Sequence, residues 1–193
     1  MTINLEEASI EEFQTLIYKD YVKLFPRSER RGLHAIKKTM KRKVTNVLKI
    51  MVDGVYVGFF IYNSLPDNPY MVLDYFAILP EYQSKGYGSL AIKTLQEMYY
   101  TYAGIYIEIE KLGLGKNEKE NKLREKRAKF YDRLGFCSLS KDISLSGVVY
   151  ATYVLPITAN QSPEPMLYGY IFDIYTAVGG KLYTKLFCKI LET

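Results

Sequence analysis

The segment Leu79-Pro80-Glu81-Tyr82-Gln83-Ser84-Lys85-Gly86-Tyr87-Gly88-Ser89 gathers glycines, hydroxyls and a cation where a strand pattern gives way to a helical one. Glycine lets backbone N–H groups approach an anion closely, because no Cβ intervenes. A helix N-terminus adds about half a positive charge. Such a turn suits a pyrophosphate, with Gln83, Ser84, Lys85, Tyr87 and the Ser89 hydroxyl close by. A glycine turn that merely caps a helix uses the same residues, and this segment alone does not separate the two. Gly86-Tyr87-Gly88-Ser89-Leu90-Ala91 also fits the GxGxxA pattern of dinucleotide sites, with Glu108 about 20 residues beyond Gly88. That fingerprint needs the strand to run straight into its first glycine. Here Pro80 to Lys85 intervene, so the dinucleotide reading is set aside.

A second constellation is acidic. Ile105 to Glu110 alternates strictly, placing Ile105, Ile107 and Ile109 on one face and Tyr106, Glu108 and Glu110 on the other. The isoleucines read as the core face, so the two carboxylates are expected to point away from it. Asp74 lies on the strand that precedes the glycine turn. The single histidine, His34, excludes every two-histidine metal site, and no metal is expected. His34 is the lone imidazole candidate for a base, and it sits in a basic stretch. Cys137 could be an acyl carrier, but it has no sequence partner and a buried inert thiol is the simpler reading.

These residues must be positioned by a sizeable framework. The chain has 193 residues, 48% of them hydrophobic and 24% charged, which excludes a disordered or collagen-like chain. No run of about 18 apolar residues exists, so no membrane span is expected. The first residues lack a basic-then-apolar signal, and two cysteines make no disulfide framework. A cytoplasmic protein with reduced thiols is the expectation. The net charge of +5 is uneven: Arg27 to Lys43 holds eight cations against one glutamate, and Lys111 to Lys129 eight against three. Such runs are solvated faces or attract phosphates and acidic partners.

Periodicity predicts helices over 9–24, 33–42, 88–102 and 123–134. Asp53-Gly54 divides two β-rich runs within 44–62, a strong hairpin signal. Strands are predicted at 71–79, 105–110, 136–144 and 147–155, the last two joined through Ser146-Gly147. The tail from 156 opens with a Pro/Ser/Asn-rich stretch and ends in a helix over 181–191. This order predicts an α/β (α+β) layer fold, a mixed sheet with helices on both sides.

Arg127-Ala128-Lys129-Phe130-Tyr131-Asp132-Arg133-Leu134-Gly135-Phe136 lies on the helix after the acidic strand and leads into the next one. With Gln83-Ser84-Lys85-Gly86-Tyr87-Gly88 upstream, the chain resembles the GNAT superfamily of N-acetyltransferases. The resemblance covers residues 1–156 in element order and 71–136 in motif detail. It implies a mostly antiparallel central sheet of about six or seven strands in a domain over 1–156, with 157–193 as an extension packed on it. It implies transfer of an acetyl group from acetyl-CoA to a primary amine by direct attack in a ternary complex. Gln83 to Ser89 would hold the CoA pyrophosphate, and Phe76, Ala77 and Ile78 would lie along the pantetheine, on a strand that the family splays with a bulge. Tyr131 matches the tyrosine that protonates the departing thiolate. Glu108 aligns with a carboxylate used as base, Asp74 with a proton-relay position, and Glu29 and Glu110 with the acceptor wall. Arg124 stands where many members have a CoA-contacting asparagine, and Arg127 where they have alanine; both could pair instead with a carboxylate.

The expected acceptor is a small-molecule or peptide amine. Carboxylates in the cleft suit a cationic amine and the basic rim an acidic one, so no substrate follows. Two rivals remain: a non-catalytic acyl-CoA-binding module, and nucleic-acid binding through 27–43, which would collapse with salt and is not the expected role. A homodimer is left open.

Overall fold

The computed structural model describes residues 2–191, which form two compact units. One holds the described residues up to Pro66 together with Leu73–Tyr99; the other holds Asp67–Val72 and the residues from Tyr100 on. Among the described residues there are nine strands, mostly paired antiparallel, and α-helices between them. The mixed α/β class is as expected.

In the first unit, strands β1 (Ile3–Glu7), β2 (Thr45–Val52), β3 (Val55–Asn63) and β4 (Tyr70–Ile78) lie side by side in that order. The expected hairpin joins β2 and β3. Asp53 and Gly54 take φ of 47° and 79°, the left-handed pair that a two-residue turn demands. Helices α1 (Ile10–Glu12), α2 (Tyr18–Leu24) and α3 (Leu33–Lys41) cover one face. Ser9 caps α1, accepting from Glu12 N while the Glu12 carboxylate accepts from Ser9 N. Between α1 and α2, Phe13–Ile17 form a π-helical segment. This wide turn keeps Phe13, Ile17 and Tyr21 facing one core with Ile36, Val47, Phe59, Ile61 and Tyr75. The other face buries Leu48, Ile50, Phe60 and Tyr62. Helix α4 (Tyr87–Met98) packs along β1, and Tyr99 at its C-terminus meets Tyr62 edge-on.

Gly58 lies where β3 passes the end of β4. A Cβ there would stand 2.2 Å from the Ala77 carbonyl oxygen and 3.0 Å from Ile78 Cα. Backbone atoms cannot yield as a side chain can. Gly58→Ala is therefore expected to cost about 1–3 kcal/mol, read as a shift in urea midpoint at constant slope. A neutral substitution would show that the two strands separate readily at this point.

In the second unit, Tyr70–Val72 of β4 run parallel to Gly104–Tyr106 of β5 (Gly104–Glu110). β5 pairs antiparallel with β8 (Val148–Pro156) along its whole length. β8 also carries β6 (Cys137–Ser138) and β7 (Asp142–Leu145), and β7 pairs with β9 (Cys188–Leu191). Ser146 and Gly147, with φ of 51° and 87°, make the second expected hairpin. Helix α5 (Glu118–Arg133) starts earlier than the periodicity predicts, because Asn117 accepts from Glu120 N as N-cap. The tail differs from expectation. It forms α6 (Glu164–Gly179), α7 (Lys181–Phe187) and β9, where one final helix was predicted. Asn68 Nδ2 donates to Tyr170 O, and Gln161 Nε2 to Ala103 O, tying the tail to its own unit. No helix among the described residues is long and apolar enough to cross a membrane.

Candidate active site

The glycine turn is built as its sequence suggests. β4 ends at Ile78 and a 3-10 turn follows over Pro80–Tyr82. Ser84 and Gly86 then take φ of 62° and 81°, and α4 starts at Tyr87. Gly86 O accepts from Ser89 N and Leu90 N, which closes the first helical turn. The leading amides of a helix have no intrahelical partner, so this end presents donors to an anion. A Cβ on Gly86 would meet nothing within 4 Å; backbone conformation, not crowding, calls for glycine. Ser84, Lys85 and Ser89 are exposed, and Lys85 Nζ lies 5.3 Å from the Tyr82 ring centroid. Gln83 is braced inward, its Nε2 donating to Ile78 O at 2.9 Å. On β4, Phe76 stacks on Phe60 at 4.6 Å.

Asp74 sits in a dense polar network of the first unit. Its Oδ2 accepts from Arg31 Nη1 and from Asn63 Nδ2, each at 2.9 Å. The same guanidinium donates to Asn63 Oδ1, Thr39 Oγ1 and Thr45 Oγ1. Arg31 N donates to the Tyr21 hydroxyl, and Tyr75 Oη donates to Glu29 O at 2.7 Å. Burial pushes Tyr21 up to about 12 and Tyr75 higher still, so both phenols hold their protons. The network pins the segment carrying Glu29. Arg31 reads in the sequence as one cation of a run; its partner lies 43 residues away, and no local signal reveals it. His34 is exposed on α3.

In the second unit, Tyr131 lies on the last turn of α5, 9% exposed. Phe130 and Phe136 meet its ring edge-on at 5.2 and 5.0 Å. Burial pushes its phenol up to about 12, with Arg127 opposing, so it is proton-loaded at neutral pH. On β5, Glu108 stands opposite Thr152 of β8. The expected division of β5 into a core face and an open face is corrected: Tyr106 is as completely buried as Ile105. Tyr168 of the tail helix α6 covers this face, its Oη 3.0 Å from Thr152 Oγ1 of β8. Glu110 is spanned by two arginines, Arg124 Nη2 at 2.9 Å and Arg127 Nη1 at 3.1 Å, and Arg124 Nη1 also donates to Lys111 O. These arginines take the carboxylate partner rather than standing open. Cys137, expected to be buried, is exposed; Cys188 is buried, and both thiols are free. Among the described residues no cluster of His, Cys, Asp or Glu could hold a metal.

Known proteins share this framework. A GNAT-family protein from Bacteroides thetaiotaomicron superposes with a TM-score of 0.73 at 21% identity, over 92% of this chain and 98% of its own. The ribosomal-protein-S18-alanine N-acetyltransferase of Escherichia coli gives 0.56 at 16% identity, over 83% and 97%. A GNAT acetyltransferase from Elizabethkingia anophelis with acetyl-CoA bound gives 0.56 at 12%, over 80% and 97%. These likenesses concern the fold. No curated protein matches the chain in sequence. The Acetyltransferase (GNAT) family profile matches residues 10–136, which span the glycine turn, β5 and the Tyr131 motif; the chain belongs to the GNAT acetyltransferase family.

Proposed function

We propose that this chain transfers an acetyl group from acetyl-CoA to a primary amine by direct attack in a ternary complex. The turn at Gln83–Ser89 carries the reading: left-handed Ser84 and Gly86, with the donors of α4 behind them, fit a pyrophosphate. Bound acetyl-CoA supplies an activated acyl carbon whose C–S bond breaks as the N–C bond to the amine forms. Residues Gln83 to Ser89 would hold the pyrophosphate, and Phe76, Ala77 and Ile78 would flank the pantetheine. Arg124, bound to Glu110, is left with a bracing role, and Glu110 with it. Residues 1–156 would form the acetyltransferase domain, with 157–193 as its extension.

An alkylammonium loses its proton at pH 7 only at a cost of about 4–5 kcal/mol. Glu108 would accept that proton, and Tyr131 Oη would hold one for the departing sulfur. Asp74 is committed to Arg31 and Asn63, which favours Glu108 as the base and gives Asp74 the task of holding the Glu29 segment. A small-molecule or peptide amine is the proposed acceptor. Free thiols at Cys137 and Cys188 suit a reducing compartment such as the cytoplasm.

Calorimetric titration tests the reading. Acetyl-CoA should bind saturably at one site and NADH should not. Gly86→Val should weaken binding about tenfold, since a β-branched residue in a left-handed position costs about 1–2 kcal/mol. CoA release would then be followed with spermidine, kanamycin and Nα-blocked lysine. Absence of binding at near-millimolar acetyl-CoA would sink the proposal. Binding with no turnover on any amine would favour the non-catalytic module.

A further inference from the structure

The last elements of the chain leave apolar surface uncovered. On α7, Leu182 is 71% exposed, Leu186 53%, Phe187 47% and Tyr183 40%. Thr184 is the buried residue of this helix, and at 3.6 residues per turn Leu182 and Leu186 lie on the side away from it. The outermost face thus carries two leucines, with Lys181 and Lys185 on its flank. The Tyr183 and Phe187 rings lie 5.3 Å apart. Ser146 ties them to the turn between β7 and β8: its N–H donates to Phe187 O at 2.8 Å, and its hydroxyl lies 3.0 Å from Tyr183 Oη. Val148 beside that turn is 40% exposed and Ile190 of β9 is 43% exposed.

Six such side chains, each of about 200 Å² and about half exposed, present about 600 Å² of apolar surface. A standard interface takes about 800 Å² from each partner, about 65% of it apolar between identical chains, which asks for about 500 Å². The patch has the size that a stable dimer needs. β9 is also a sheet edge, with β7 its one strand neighbour among the described residues. The bond from Ser146 N to Phe187 O marks these two as a bonded pair, and bonded pairs alternate along an antiparallel ladder. In the register Leu145↔Cys188, Ser144↔Lys189, Ile143↔Ile190, the backbone groups of Lys189 therefore turn to β7 and those of Cys188 and Ile190 turn away. Consistent with this, Cys188 N donates to Thr184 O of α7. The Cys188 carbonyl and both backbone groups of Ile190 are left at the open edge. A second strand satisfies such groups and an apolar lipid phase does not.

We infer that the chain forms a homodimer about a two-fold axis at Ile190: β9 of each copy pairs antiparallel with β9 of the other, and the apolar faces of α7 pack into the same interface. Identical edges meeting about a two-fold make a closed, self-complementary contact. The Ile190 residues of the two copies exchange both of their backbone bonds. Lys189 then stands opposite Leu191 of the second copy, so no like charges meet across the strands. Lys181 and Lys185 fall at the rim, where interfaces keep their polar residues. Sheet edges are blunted by charge, proline or bulges; β9 carries one lysine and no proline. The dimer is independent of the acetyl-transfer reading, since neither α7 nor β9 belongs to the proposed site.

Sedimentation equilibrium of the full chain should give twice the chain mass, with a Kd of about 1 μM or tighter. A monomer at about 100 μM overturns the inference. The double variant Leu182→Asp, Leu186→Asp changes two exposed positions and places a charge at the centre of the interface. It should raise the Kd at least about a hundredfold; an unchanged Kd overturns the inference. Hydrogen exchange distinguishes strand pairing from any other dimer. The Ile190 amide should be protected in proportion to the dimer fraction, while the Lys189 amide, held by β7, should be protected in monomer and dimer alike. A dimer whose Ile190 amide exchanges freely overturns the inference. This measurement needs no variant, so it decides the matter even if the double variant does not fold. Flotation with phosphatidylglycerol vesicles tests the rival occupant. Binding to them that the double variant loses, without a dimer in solution, would assign the patch to a lipid surface and overturn the inference.

Discussion

Glu108→Gln should lower kcat/KM for the amine by about 10²–10⁴-fold near neutral pH, with the Kd for acetyl-CoA unchanged. The amide keeps the size and a hydrogen-bond acceptor but cannot take a proton. The sign of the pH dependence follows from the acceptor. Below an amine pKa of about 10.4, the neutral fraction rises tenfold per pH unit. A variant without a base depends on that fraction, so its rate should climb with pH while the parent levels off. The gap should therefore close toward pH 10. Initial rates of CoA release from pH 6.5 to 10 give the comparison. A loss of equal size at every pH would assign Glu108 to binding or folding instead.

Arg31→Met should be the most destabilising single change considered, by about 3–5 kcal/mol. The guanidinium is 17% exposed in its side chain and Asp74 22%, so removing the cation strands a largely buried carboxylate. Asn63, Thr39 and Thr45 would each lose one donated hydrogen bond as well. For a chain of this size each kcal/mol moves Tm by about 2–4 °C, which places the fall near 10 °C. Replacing both partners, Arg31→Met with Asp74→Leu, should recover part of the loss because no charge is left alone. Urea unfolding of the single and double variants decides it. A single variant within about 0.5 kcal/mol of the parent, the range of ordinary surface changes, would show that the network is dispensable.

Short-range chemistry made much of this structure legible. Asp53-Gly54 and Ser146-Gly147 turn where their left-handed preferences say they must. The strict alternation of 105–110 gives β5, and the glycines at 86 and 88 open α4. Long-range pairing was not legible. Ile3–Glu7 shows only Ile3 and Leu5 as apolar positions, and becomes a strand because β2 offers it an edge. Arg31 looks like any cation in a basic run until Asp74, Asn63 and two threonines converge on it. Alternation in β5 separates two faces but cannot say how each is covered. Tyr106 is covered by residues about 50 to 60 positions later in the chain, a distance no periodicity spans. Of the candidate site, the turn and Tyr131 were recognisable from local motifs, whereas the clamping of Glu110 by α5 was open between two partners until the structure was in hand.

The covering of β5 by α6 bears on where a working fragment can be cut. The family match ends at Phe136, and a truncation after Pro156 would look conservative on a motif map. It would remove Leu167, Tyr168, Ile171 and Ile174, all buried, each worth about 1.5–3 kcal/mol of apolar burial. It would also open Thr152 and Tyr106 to solvent. A shortened chain would arrive with an unsealed sheet face. Helix α6 thus behaves as interior rather than appendage, and expression boundaries, fusion junctions and cleavable tags belong beyond Leu191.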